Sequence, residues 1–451
     1  MRDDLTNALK AGGADYIEIR IEESKTTRLI YHGKRLEEVG RTSSLGGNVR
    51  ALVKGGWGFV SFNDIHNLGE NAELAIKEAR LIGKEDFRLS PTEPVIDVVT
   101  TGEKGTSDIS LASKKRLLDE YNDIILSTPK IQTSRIGCQD SHKKITFANS
   151  EGTYVEQTRS DINLRLTAIA AENGEVQQIG QSLGSPGDFS AIEGLQKQVK
   201  QMAERAVKLL SASQAKGGEY TIVLDPILAG VFAHEAFGHL SEADHVYENE
   251  RLKEIMVLGR RFGDKHLNIV DGAAIPGLRG SYKYDDEGVP ATKTYLIREG
   301  VLESRLHSRE TAAKMREKTT GNARAINYSF PPIVRMTNTY IEPGTLSLED
   351  IISDIKEGVY ARDWYGGTTS LEMFTFSAAE AYMIRNGKIA ELLRPVVLSG
   401  NVFATLGNID AIGNDLEMNQ GGGCGKRGQM PLPVANGSPH IRIRRCLVGG
   451  S

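Results

Sequence analysis

Cysteine is nearly absent: Cys138, Cys424 and Cys446 are the only three in 451 residues. That excludes a disulfide framework and points to a reducing compartment, the cytosol. A long apolar run is missing too. The most apolar stretch, residues 222–232, is broken by Asp225 and Pro226 and falls far short of the ~20 residues a membrane helix needs. Residues 1–10 include Asp3, Asp4 and Lys10 and no apolar core for a secretory leader. Neither sign of charge dominates. With 55 Lys and Arg against 59 Asp and Glu, the formal net charge is −4, which excludes a charge-driven binder of nucleic acid.

What is abundant is glycine, 48 residues, which favours tight turns and hairpins over long helices. The reading is an α+β chain in three units: a small N-terminal αβ domain over 1–88, a middle domain of helices and strands over 106–212, and a glycine-rich, mainly antiparallel C-terminal domain over 217–451. In the first unit, residues 4–10 read as a helix. Ile17, Ile19 and Ile21 alternate with Glu18, Arg20 and Glu22, the period of a half-buried strand. A helix follows over 70–82, and residues 89–105, with Pro91 and Pro94, read as a linker. In the middle unit, helices are expected over 111–126 and 192–210. Asn386-Gly387 between two apolar runs predicts a type I′ hairpin.

The chemistry-bearing segment follows a short apolar strand, Thr221 to Leu224. Asp225 is a helix N-cap and Pro226 suits the first helical position. The helix should bury Ile227, Leu228, Val231 and Phe232 and then carry His234-Glu235-Ala236-Phe237-Gly238-His239. HExxxH is one residue longer than the HExxH of ordinary zinc peptidases. In a straight α-helix the two histidines would sit roughly 140° apart. A one-residue π bulge, or an end to the helix at Gly238, is therefore required if both are to reach one ion. Two imidazoles suit zinc, and Glu235, beside a ligand, is placed to take a proton from water.

A catalytic zinc needs a third protein ligand, and Glu242, Asp244, His245, His266 and Cys424 are the candidates. Cys424 lies within Gly421-Gly422-Gly423-Cys424-Gly425-Lys426-Arg427, where glycines allow close approach and two cations favour a thiolate. Cys138 and Cys446, in strand-like stretches, read as structural. Other signals are weaker. Gly180-Gln181-Ser182-Leu183-Gly184 matches GxSxG, but Ser185-Pro186-Gly187 follows where the elbow needs a helix. Gly425-Lys426 lacks the rest of a phosphate loop. Asp285-Asp286-Glu287-Gly288 has the carboxylates to bind a cation but reads rather as a solvated turn before a strand at Tyr295-Leu296-Ile297. Tyr284, Asn338, Trp364 and Tyr365 are either cleft-lining or ordinary packing residues.

HEAFGH, the run RMTNTYIEPGT from Arg335, GNDLEMNQGGGCGKRGQ and the terminal VGG together resemble the TldD/PmbA family, and within it the TldD-type member. The resemblance covers most of the chain and is strongest from Glu219 onward. It implies a cytosolic zinc metallopeptidase with His234, His239 and Cys424 as ligands and Glu235 as base. It also implies unfolded or small peptides as substrates and a dimer, either a homodimer or a pairing with a PmbA-type paralogue around an enclosed channel. PmbA-type chains lack the four-residue set present here. A zinc hydrolase of a non-peptide amide and a non-catalytic partner subunit are the alternative readings.

Overall fold

The computed structural model describes residues 1–100 and 109–450; the end of the expected linker and the start of the unit expected from 106 lie outside the described residues. Helix α1 (Arg2–Ala8) leads into the long strands β1 (Tyr16–His32) and β2 (Arg35–Val53), then β3 (Gly56–Phe62), α2 (Leu68–Ile82) and β4 (Ile96–Val99). Helix α3 (Leu111–Ser127), strands β5 (Ile131–Asn149), β6 (Tyr154–Glu172) and β7 (Glu175–Ser185), and helix α4 (Gln196–Leu209) follow. The helix expected over 192–210 starts late. Phe189–Ile192 is a separate 3₁₀ turn, and Gly194, at φ +69°, breaks the chain direction before α4.

One sheet runs through all of these strands in the order β3-β2-β1-β5-β6-β4, with β7 also on β6. Under it lie two apolar clusters. Ile17, Ile19 and Ile21 pack with Leu68, Ala72, Ala75 and Ile76 of α2; Leu29 and Tyr31, further along the same strand, pack with α3 and α4. Burial of these side chains, each worth roughly 1.5–3 kcal/mol, fixes the helices to one face.

The other face is where the sequence expectation of a half-buried strand fails. Glu18, Arg20 and Glu22 are 3%, 4% and 1% exposed, because the C-terminal part of the chain covers them. Asp286 accepts from Ala325 N at 2.8 Å, pairs with Arg20 at 3.1 Å and with Arg159 at 3.2 Å. Glu287 bridges Arg50 of β2 and the backbone of Arg309, both at 2.8 Å. Arg50 also pairs with Glu18 at 2.7 Å. The turn at 285–288, expected in solvent, is thus the buried anionic half of a charged seam. Charges removed from water this way persist only when fully paired.

The C-terminal part begins with β8 (Gly218–Leu224) and α5 (Pro226–Phe232). β8 pairs in parallel with Glu357–Ser370 and antiparallel with Ile441–Gly450. Ile441–Gly450 pairs with Val396–Asn401, that strand with Met373–Arg385, and Met373–Arg385 pairs back with Glu357–Ser370. The pairings close a ring around the largest apolar core, which holds Leu228, Phe232 and Phe237. The Asn386-Gly387 hairpin is present, with φ of 46° and 73° as a type I′ turn requires. Asp286→Ala should leave Arg20 and Arg159 buried without their carboxylate and destabilise the chain by about 3–5 kcal/mol, read as a lowered denaturation midpoint; a midpoint equal to wild type would contradict the seam's role.

Candidate metal centre

Asp225 caps α5 as expected, its carboxylate accepting from Leu228 N at 2.9 Å. Leu228 and Phe232 enter the core, whereas Ile227 and Val231, also expected there, line a cavity. The helix lies close on strand Ala435–Ser438: a Cβ on Gly230 would come within 2.9 Å of Gly437, so only glycine fits. Beyond Phe232 the turn widens into a π segment over Ala233–Gly238. Its signature is the hydrogen bond from His239 N to His234 O, five residues back rather than four. The extra residue brings His239 round to His234, the two rings meeting edge to face at an interplanar angle of 83° with centroids 5.3 Å apart.

Cys424 meets them from the ribbon Gly423–Lys426 and Gln429–Pro433. Its Sγ is 3.6 Å from His239 Nε2, and one donor atom from each of His234, His239 and Cys424 lies within 4.8 Å of the others. His234 is 2% exposed and Cys424 3%. Burial pushes the thiol up, but the rings of His234 and His239 outweigh it and hold Cys424 well below the ordinary thiol value. Cys138 and Cys446 lack such partners and are pushed up to about 12 by burial. Lys426 and Arg427, expected to favour the thiolate, instead pair with Glu242 and Asp244 and with Glu248. His234 Nδ1 is buried without a hydrogen-bond partner. Two imidazoles and a thiolate so placed are a fitting donor set for a borderline-soft divalent ion.

The remaining third-ligand candidates do something else. Glu242 Oε2 takes the far nitrogen of His239, Nδ1, at 3.0 Å. This fixes the tautomer that leaves Nε2 free to face Cys424. Burial alone would raise Glu242, but Lys426 and His239 outweigh it and hold the group well below the usual carboxylate range. Lys426, two residues beyond Cys424, reaches Glu242 at 3.0 Å and Asp244 at 2.7 Å, tying the cysteine strand to the histidine helix. His245 Nδ1 lies 3.3 Å from the His239 carbonyl, and His266 bonds Ile409 O. Sequence reasoning missed Arg335, which is wholly buried and donates to Cys424 O at 2.8 Å and Gln429 O at 3.1 Å. It also missed Arg279, which holds the carbonyls of Gln420 and Gly422.

Glu235 borders two cavities. One of about 1080 Å³ runs past His234, β7, α4 and residues 417–423; one of about 680 Å³ runs past His239, His245 and Leu252. The strand Glu357–Ser370 touches both, through Trp364 and Tyr365 on the first side and Thr368 and Thr369 on the second. Glu235 Oε2 stands 3.8 Å from His239 Nε2. Tyr284 and Asn338 are packing residues: Tyr284 donates to Asp97, and Asn338 to Gly272 O and Ser281. Gly180 to Gly184 form part of straight strand β7, without the strand-to-helix elbow.

Family models described as PmbA/TldA metallopeptidase domain 1, central domain and C-terminal domain match residues 17–82, 104–213 and 217–450. The chain belongs to the PmbA/TldD metallopeptidase family. Within it, a metalloprotease of Synechocystis sp. is 49% identical over 97% of this chain and 95% of its own. A zinc metalloprotease TldD homolog of Saccharolobus solfataricus is 30% identical over 97% of each chain. The crystal structure of TldE from Thermococcus kodakarensis shares the fold, with a TM-score of 0.78 at 19% identity over the full length of both chains. This member of the PmbA/TldD family is a metallopeptidase, and among its described residues no helix is long and apolar enough to cross a membrane.

Glu242→Ala should free the His239 ring and weaken metal affinity about 10–100-fold, measured by competition with a chromogenic chelator. Glu242→Gln, which keeps an acceptor at Nδ1, should weaken it less. Equal affinities in all three proteins would remove Glu242 from the site.

Proposed function

We propose that the chain is a zinc-dependent peptidase cutting main-chain amides of short or unfolded peptides, with His234, His239 and Cys424 as ligands and Glu235 as general base. The observation that carries this reading is the position of Glu235, beside the three-donor cluster and at the meeting of the two cavities. A peptide lying through both would present an internal bond to it. When bound, zinc supplies Lewis acidity to the scissile carbonyl and lowers the pKa of water. Glu235, its side chain 32% exposed, takes the proton of the attacking water and passes it to the leaving amine nitrogen. The buried imidazoles of His234 and His239 and the thiolate of Cys424 would hold the ion.

Substrate enters this reading as an added strand. Among the described residues β7 pairs only with β6, and Gln178, Gly180 and Gln181 of β7 line the larger cavity. Pairing of main chain with main chain tolerates varied side chains. The reading includes assembly with a second chain of this fold, a second copy or a PmbA-type paralogue, in keeping with membership of the PmbA/TldD family. The three buried, unpaired cysteines suit a reducing cytosol.

Two variants test the assignment. Cys424→Ala should lose most of its zinc by elemental mass spectrometry; full zinc content would shift ligation elsewhere. Glu235→Gln should retain metal yet cleave unfolded peptides at least 10²-fold more slowly, and undiminished turnover would defeat its role as base.

A further inference from the structure

Strand Gly423–Lys426 brings Cys424 to the metal centre and, among the described residues, pairs on one side alone, with Gln429–Pro433. Gly423 lines the larger cavity and Gly425 the smaller. Both glycines are exposed, whereas Cys424 and Lys426 are buried. The strand therefore runs from one cavity to the other past the donor cluster, with its unpaired edge and two residues that carry no side chain. Strand β7, by contrast, borders the larger cavity and not the smaller.

The direction of the N–H groups on that edge is fixed from the opposite side. Gly423 stands across from Pro433. Proline has no N–H, so the two residues cannot exchange the paired hydrogen bonds of an antiparallel ladder, and the N–H of Gly423 points away from the ribbon. Two guanidinium groups impose the same direction. Arg279 takes the carbonyl of Gly422, and Arg335 takes that of Cys424 at 2.8 Å. In a trans peptide unit the N–H points opposite to the carbonyl it is joined to, and Met430-Pro431 is the one cis bond among the described residues. With those two carbonyls held, the N–H groups of Gly423 and Gly425 are turned to the unpaired edge. They lie two residues apart, about 7 Å in an extended strand, the repeat at which an added strand presents its own carbonyls.

We infer that the unpaired edge of Gly423–Lys426 binds substrate, the N–H groups of Gly423 and Gly425 each donating to a main-chain carbonyl of the peptide, one on either side of the scissile bond. The inference rests on the reading of the chain as a peptidase. It adds to the contact with β7 a second one that continues into the smaller cavity. Pairing through the main chain grips substrate and transition state alike, so its loss raises KM and leaves kcat nearly unchanged.

The experiment uses the zinc-loaded full chain and one unfolded peptide that it cleaves. A Cβ on Gly423 would come within 2.7 Å of Pro431, so the N–H is removed without adding a side chain: glycolic acid, placed at Gly423 or at Gly425 by nonsense suppression, turns one amide of the protein into an ester. Each ester protein should keep its zinc and show a KM about tenfold higher, the size of one hydrogen bond. In wild type, exchanging the peptide's carbonyls one at a time for thiocarbonyls, weaker acceptors, with the scissile one left intact, should raise KM most at one position on each side of the cut. The protein with the ester at Gly423 should be indifferent at one of these positions, and the protein with the ester at Gly425 at the other. Where an ester protein loses zinc or fails to fold, the wild-type thiocarbonyl series carries the test, and sensitivity on one side of the cut only, or on neither, overturns the inference. Wild-type KM in both zinc-loaded ester proteins overturns it as well, while leaving the peptidase reading intact. Failure of wild type to cleave any peptide overturns the peptidase reading itself and this inference with it.

Discussion

Two imidazoles five residues apart cannot face the same point on a regular α-helix, and the site depends on the widened turn at Ala233–Gly238 that brings them together. A widened turn is a strained insertion that survives only when its surroundings hold it. Here the hold is applied from both ends. Upstream, the Asp225 cap and the close contact of Gly230 with Gly437 fix where α5 starts and how deeply it lies. Downstream, Glu242 grips His239, and Gly238 leaves room for Met336, whose sulfur would stand 2.1 Å from any Cβ there. Lys426 then transmits the position of the helix to the strand of Cys424.

The cleft has a second dependency, because its walls come from distant parts of the chain. β7, α4, α5 and residues 417–423 all line it. Arg279 spans them, pairing with Asp161 of β6 and holding the Gln420 and Gly422 carbonyls. Away from the cleft, the buried charges of Arg20, Arg50, Asp286 and Glu287 dock the large sheet onto the C-terminal part. An apolar contact of equal area would tolerate sliding; paired charges tolerate little, since a displaced ion is left buried and alone.

How much of this could be read in advance follows from the range of the interactions. The Asp225 cap, the Asn386-Gly387 turn and the demand that the helix either widen or end between His234 and His239 are local, and residue type with spacing revealed each. Alternation in β1 correctly separated Ile17, Ile19 and Ile21 from Glu18, Arg20 and Glu22. It is silent, however, on whether another layer covers the polar side, and it was the pairing of Arg20 with Asp286, far along the chain, that buried both. The same limit hid Arg335 and Arg279, whose partners are backbone carbonyls of a remote loop. Among the open third-donor candidates, only contact could separate Glu242, which reaches the outer nitrogen of His239, from Cys424, which faces the inner one.

The ring of strands has a consequence for the order in which the molecule is made. Strand Ile441–Gly450 lies between β8 and Val396–Asn401, so the wall from which α5 springs is incomplete until that strand has been added. The thiol at Cys424 also comes late, long after both histidines. Synthesis runs from the N-terminus, and a nascent chain on the ribosome therefore holds its imidazoles without the third donor and without the closing strand. Cys424 follows His239 by 185 residues, so under the proposed ligation the three donors meet only after the intervening strands have been made.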